Sequence, residues 1–503
     1  MSEINTWGYS HATDQQRGER ALELVEQAIE SIKPSLVDAV AEFLSHPVAA
    51  KPLFTLELAL LTLVRELART LLQQTLQALE PDDPHSILQN LYFQCGGYRR
   101  RNTKTRNANI ATRFGTITLW RRGYRSWQSA DGSIFPLEIM LGFTEGVTPA
   151  LVDFIGRTYA DTGESQQSVL ATLRSECSVS MGVKRLRACV KQFSDSISEF
   201  SQTLQVDALI DALQQAQQSK GNRKPVLSVG RDGITLREYK HRFFEVATAA
   251  TFSVYDRAGK RLKTIYLAWP PELGQATMDE MMSSLLKELF SRYSGPLPRL
   301  AYVSDSGSQE QSYFDRILRR MVHPSTGKRL DWCRVVDYYH VSERVWSMAN
   351  ALFRKDQEKK ANAWARRMLR SLKKPNGASR VLHSAASLYH RRTLGESRRK
   401  TFWKAYRYIQ KRTKSMRYAE CKSHHIPIGS GVTEAACKTI YTQRLKLSGM
   451  RWSFEGAQTV LRLRTVLLSG TWEPTFAGYL DQLASHGVRP YDTNSNEHLQ
   501  NAA

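Results

Sequence analysis

The chain has 503 residues, with 71 Lys and Arg against 48 Asp and Glu, a formal charge of +23, and is 41% hydrophobic. This is length for about three globular domains and a composition unlike that of a disordered chain. No run of about 18 apolar residues exists to span a bilayer, the polar start MSEINTWGYSHATDQQ lacks a signal-peptide apolar core, and the scattered cysteines form no C-x-x-C pair.

The chain therefore reads as cytoplasmic and without a membrane partner, and its charge asks for a polyanion, nucleic acid before an anionic surface. Residues 14–80 show helical periodicity in two long blocks, the second with Leu60, Leu63, Leu67 and Leu71 at near-heptad spacing, a stripe that suits either a core or a dimer seam. Pro81 and Pro84 close it. The basic segment GGYRRRNTKTR, with Arg99, Arg100 and Arg101, leads into ATRFGTITLWRRGYRSW, whose alternation across a Gly115 kink predicts a small sheet. Three short helices follow within 148–203, and the last carries Lys184, Arg185, Arg187 and Lys191. They fit a helix-turn-helix unit or any small bundle.

The next section predicts strands KPVLSVGRDGITL, ending in Asp232, FFEVATAATFSVYD and RLKTIYLAWP, then a helix over 277–293. Strand RLAYVSD, ending in Asp305, a helix over 309–321, strand WCRVVD, ending in Asp337, and helix YHVSERVWSMANALF complete it. Three antiparallel strands followed by strand-helix repeats is the order of a ribonuclease-H-like α/β mixed sheet, in which the first and fourth strands are neighbours. Residues 354–425 then lose the strand pattern and hold 22 Lys and Arg against 4 Asp and Glu, most of the surplus of the chain. We read this block as a helical insertion with a phosphate-binding surface. Behind it, IGSGVTEAACKTI starts a helix with Ser430 as N-cap and Glu434 in its first turn.

Phosphodiester cleavage needs charge neutralised at the attacking and leaving oxygens, which two divalent ions roughly 3.5–4 Å apart supply. Mg²⁺ or Mn²⁺ takes hard oxygen ligands, so the pattern to seek is two or three acids on separate elements. Asp232, Asp305 and Glu434 have that placement. Each also has a plainer reading: Asp232 as a turn residue, Asp305 as an N-cap, Glu434 as an acid paired with the helix dipole. Asp337 and His340 form D-Y-Y-H. They either orient the acids and protonate a leaving group, or are an N-cap beside a satisfied histidine. Asp337 also competes with Asp305 for the second-acid role.

The segments VGRDGITL, YVSDSG, VVDYYH and IGSGVTEAACKTIYTQRLKLSGMRW resemble the DDE transposases of bacterial insertion sequences, those of the Kra group above all, and share the strand-end D/C-x-x-H signature of the Mutator superfamily. The resemblance covers roughly residues 226–472. It implies that Asp232, Asp305 and Glu434 bind two Mg²⁺ or Mn²⁺ ions, that Asp337 and His340 are accessory, and that Lys438, Arg444, Lys446 and Arg451 hold the phosphates of a bound transposon end. Such families often carry a cysteine-pair zinc ribbon before the helix-turn-helix. Here that region offers only Cys95, which leaves GGYRRRNTKTR to act electrostatically.

The organisation expected is a helical region (1–94), a small basic β segment (95–145), a helix-turn-helix-like region (146–205), a catalytic core in two parts (206–345 and 426–472) split by the basic insertion (346–425), and a C-terminal tail (473–503). The activity expected is metal-dependent cleavage and strand transfer on terminal inverted repeats and target double-stranded DNA, at the nucleoid, by a homo-oligomer. A transposase-derived regulator that no longer cuts, or a structure-specific nuclease on the same fold, are the alternatives.

Overall fold

The computed structural model describes residues 14–94, 96–127, 132–161, 165–237, 244–447, 450–485 and 488–490. Cys95 and about half of the expected tail, residues 486–487 and 491–503, lie outside them. The protein is mixed α/β with two five-stranded sheets, and it divides into two compact units. Among the described residues no helix is long and apolar enough to cross a membrane.

The first unit opens with the two predicted helices, α1 (Asp14–Ser45) and α2 (Ala50–Ala78). Its sheet is formed by β1 (Asn90–Phe93), β2 (Gly96–Thr112), β3 (Gly115–Ser126), β4 (Ser133–Ile134) and β10 (Arg489–Pro490), in the order β10-β1-β2-β3-β4, every pair antiparallel. Gly115 is not a kink within a strand. At φ +120° it lets the chain reverse, with Thr112 Oγ1 donating to its carbonyl at 2.8 Å, and GGYRRRNTKTR becomes the first part of β2. Helices α3 (Pro136–Met140), α4 (Pro149–Ala160), α5 (Gln166–Cys177) and α6 (Val183–Ile197) follow, the last three where the helix-turn-helix pattern puts them. The stretch read as the start of a tail, 473–485, is instead helical. There α17 (Trp472–Ser485) buries Tyr479, whose ring meets Phe193 edge-on at 4.9 Å.

The second unit begins with α7 (Ser201–Gln218), so the boundary falls before the expected 205/206. Its strands are β5 (Val226–Arg237), β6 (Phe244–Tyr255), β7 (Arg261–Trp269), β8 (Arg299–Ser304) and β9 (Trp332–Val336). The order is β7-β6-β5-β8-β9, antiparallel through β7, β6 and β5 and parallel through β5, β8 and β9. Helices α8 (Ala276–Arg292) and α9 (Ser308–Arg316) connect the strands, and α10 (Tyr338–Leu352) leaves β9.

Side-chain alternation gives the sheet two apolar faces. Leu227, Val229, Leu300 and Tyr302 share one core with α7 and α8; Val226, Ala301, Val303 and Val335 share the other with α10. The basic block is four helices on that second face: α11 (Glu358–Leu372), α12 (Gly377–His390), α13 (Glu396–Arg412) and α14 (Tyr418–Ser423). Their amphipathicity explains the helical pattern in so charged a segment. In α11, Ala361, Trp364, Ala365, Met368 and Leu372 are buried while Arg366, Arg367 and Arg370 are exposed. Helix α15 (Gly431–Cys437) runs into a π-helical turn, Lys438–Thr442, before α16 (Phe454–Leu468) packs on β7.

Candidate active site

Strand register alone brings three acids to one level. β5 and β8 pair up to Gly230–Val303, and β8 and β9 up to Ser304–Val336. Asp232 and Asp305 each stand two residues past the first pair, and Asp305 and Asp337 each stand one past the second. Neighbouring strands are about 4.8 Å apart and in-register residues share a face. Asp232 does not end its strand as expected: β5 continues to Arg237 against β6, and only its parallel pairing stops at Gly230.

Glu434 comes from above this face. Helix α15 lies on β5 and β6, and Gly230 is what admits it. A β-carbon on Gly230 would stand 2.0 Å from Thr433 Oγ1 and 3.0 Å from Thr251 Oγ1, two hydroxyls that are themselves 2.7 Å apart. The close approach credited to the Gly-Ser-Gly turn is thus made by a glycine in the sheet. Gly431 has open space around it, whereas a β-carbon on Gly429 would stand 3.0 Å from the Tyr339 ring, a less severe approach than at Gly230.

Ser430 stands at the N-cap position, but its hydroxyl does not cap α15. Its Oγ is 2.7 Å from Asp337 Oδ2 and 2.7 Å from Glu434 Oε1. One hydroxyl proton serves one carboxylate at a time, and Asp337 Oδ2 also receives the Ser430 backbone N–H. Asp337 Oδ1 accepts from the His340 N–H at 2.8 Å, capping α10. Asp337 is therefore fully buried with both oxygens engaged. Burial pushes its carboxyl up, but the hydrogen bonds from His340 and Ser430 outweigh this and hold it down at about 2.

The His340 ring lies 3.4 Å from Asp337 Oδ1 and 3.9 Å from Glu434 Oε1. Asp337 raises it to about 9, so it is protonated at neutral pH. Asp337 caps α10, as the plainer reading of D-Y-Y-H expects, and its other oxygen holds Ser430. The shifts give a signed pH dependence. The His340 contribution to stability is complete below about 6.5 and lost as pH rises through about 9. The Asp337 contribution is complete above about 3.9 and lost as pH falls towards about 2. In metal-free protein the His340 ring proton resonance is expected to titrate near pH 9, and Asp337→Asn to return it towards the ordinary value of about 6.5. An unmoved titration removes Asp337 as its cause.

The other acids are less committed. Asp232 accepts the Gly233 N–H at 2.8 Å, and Asp305 the Gly307 N–H at 2.9 Å in a tight turn, with Gly307 rather than Asp305 at the N-cap of α9. Both are half-buried, as is Glu434. Burial raises the Asp232 carboxyl, and the charges of Asp305 and Glu434 raise it further. Glu310 in α9 is buried and raised by the same causes, with Asp305 and Asp232 as its charged neighbours. Sequence reading missed it, because one acid in SQEQSYFDR carries no periodic or motif signal.

A carboxyl raised by burial and by neighbouring carboxylates, all of them oxygen donors, fits a hard divalent cation. Asp337, His340 and Glu434 also present ligand atoms within 4.8 Å of one another. In this group, Asp337 already accepts from the His340 and Ser430 N–H groups. Asp232 and Asp305 stand outside that close group, at the same level of the neighbouring strands.

The basic block also touches the site. Tyr408 of α13 donates to the Asp305 carbonyl at 2.7 Å, and Arg412 donates to the Ser306 carbonyl at 3.0 Å. Ser306 is held at φ +63°, a conformation rare for a side-chain-bearing residue.

Among the expected phosphate contacts, Lys438, Lys446 and Arg451 are exposed in this unit, and Arg99, Arg101 and Lys184 in the first. Arg444 is a correction: it is fully buried, its guanidinium 5.1 Å from the Trp452 ring centroid, so it reaches no surface. Arg185 is another, since it donates to the carbonyls of Glu145, Asn109 and Gly146 at 2.7–2.9 Å and straps its own unit together. Arg100 is half-buried and donates to the Ile87 carbonyl at 2.7 Å. In each case a carbonyl group or ring nearby in space claimed a guanidinium that composition alone assigns to solvent. No protein-family profile matches this chain, and no curated protein does.

Proposed function

We propose that the protein is a DNA transposase with a ribonuclease-H-like catalytic domain. It binds the terminal inverted repeats of an insertion sequence, cleaves at their ends with Mg²⁺ or Mn²⁺, and joins the freed 3′-hydroxyl to target DNA as a homo-oligomer. The observation that carries this reading is the row of acids just past the parallel pairing, set by register, with Glu434 on a helix admitted by Gly230. The strand order, with the first strand beside the fourth, supports the fold assignment.

Asp232, Asp305 and Glu434 would hold the ions, which when bound neutralise charge on the attacking and leaving oxygens. Asp337 fixes the start of α15 through Ser430, and so fixes Glu434. His340, protonated, stands beside Glu434 as a source of a proton for a leaving oxygen. Exposed Arg366, Arg367 and Arg370 of α11, with Lys438, Lys446 and Arg451, supply positive charge to phosphates.

The test is joining of a labelled terminal-repeat duplex into plasmid with Mg²⁺ and with chelator. Metal-dependent joining is the expected result. Binding without cutting in both conditions moves the assignment to a DNA-binding regulator, and cutting without joining moves it to a nuclease.

A further inference from the structure

Helices α1 and α2 each carry two apolar stripes, and their mutual packing uses only one. In α1 the buried stripe is Leu24, Ala28 and Ile32, spaced four apart. A second stripe, Leu22, Val25, Ile29, Val37, Val40 and Leu44, follows the helical period along the same helix and is 38% to 75% exposed. Its counterpart on α2 includes Phe54 at 61%, Leu58 at 49% and Val64 at 57%. A helix that is apolar on two sides needs two partners, and among the described residues α1 packs chiefly on α2.

We infer that this face is the surface on which two copies of the chain associate, the two helical pairs closing into a four-helix arrangement. Area is the first argument. At roughly 100 Å² of exposed side chain each, the apolar positions amount to about 1,000 Å². That exceeds the roughly 300–600 Å² of the largest patch on a monomeric protein and matches the ~800 Å² per partner of a stable interface.

Charge is the second. α1 has seven acidic residues against three basic, and α2 three basic against two acidic. A two-fold axis that sets α1 of one copy on the nearly neutral α2 of the other keeps the two acidic α1 helices from facing each other. The acidic helix also disfavours an anionic lipid surface or nucleic acid as the occupant. Packing pairs of antiparallel helices in this way is the ordinary geometry of a four-helix bundle.

The experiment is light scattering behind gel filtration on the full chain over a wide dilution series, for wild type and for Ile29→Glu with Leu58→Glu. Wild type is expected at twice the chain mass and the variant at the chain mass, with unchanged far-UV circular dichroism because both side chains face solvent in a single copy. Should the glutamates perturb folding, Ile29→Gln with Leu58→Gln makes the same comparison. A wild type that is monomeric across the series overturns the inference, as does a variant that stays dimeric. Neither outcome depends on whether the chain cuts DNA.

Discussion

Glu434→Ala is expected to lower metal-dependent joining by roughly three orders of magnitude, because a correctly held divalent ion supplies several kcal/mol of transition-state stabilisation. End binding, measured by gel shift, should stay within a fewfold of wild type, since loss of the half-exposed Glu434 carboxylate removes no positive charge. The fold should survive as well. Removing the carboxylate leaves the Ser430 hydroxyl with Asp337 as its acceptor, and Thr433 still docks on the sheet. A variant that joins ends at the wild-type rate removes Glu434 from the ligand set. Asp232→Ala and Asp305→Ala should behave alike, whereas Asp337→Ala should chiefly lose stability, for it leaves buried donors of Ser430 and His340 without their acceptor.

Gly230→Ala is the second large effect, at a residue with no chemistry of its own. The new methyl would meet Thr433 Oγ1 at 2.0 Å, so α15 must shift. Overpacking of this kind costs about 1–3 kcal/mol in stability. Because the helix carries Glu434, joining should fall further than stability does, on the order of a hundredfold for a displacement near 1 Å. The partner substitution identifies the cause. Thr433→Ala removes the clashing hydroxyl and leaves its β-carbon 3.3 Å away, a contact small movements relieve. The double variant should therefore recover much of the activity that Gly230→Ala loses, a coupling read from the full cycle of single and double variants. Effects of the two changes that simply add would show that the contact does not set the position of Glu434.

Much of the second unit was legible in the sequence. The strands alternate cleanly, Pro270 and Pro271 stop β7, and acids at or just past strand ends stand out in otherwise apolar runs. What was hidden depends on partners distant in the chain. Gly230 reads as one more glycine until Thr433 stands over it. Arg444 looks like its exposed neighbours Lys446 and Arg451 until the π-helical turn before it rotates the chain and Trp452 covers it. Helix α17 has weak signals of its own and exists against Phe193. Asp337 and Asp305 were rivals in sequence because both follow short strands. Burial separates them: one is enclosed with both oxygens engaged, the other half-open.

The two bonds from α13 to the Asp305 loop bear on how such a chain can diversify. Tyr408 and Arg412 belong to the insertion, yet the carbonyls they hold belong to the acid-bearing turn. An insertion with that graft cannot be exchanged as a cassette between relatives, or trimmed by recombination at its ends, without also redrawing a loop more than a hundred positions upstream. Chimeras built at residues 354 and 425 would inherit a new basic surface together with a loosened aspartate. Designers wishing to swap only the former need to carry Tyr408 and Arg412 across with the host.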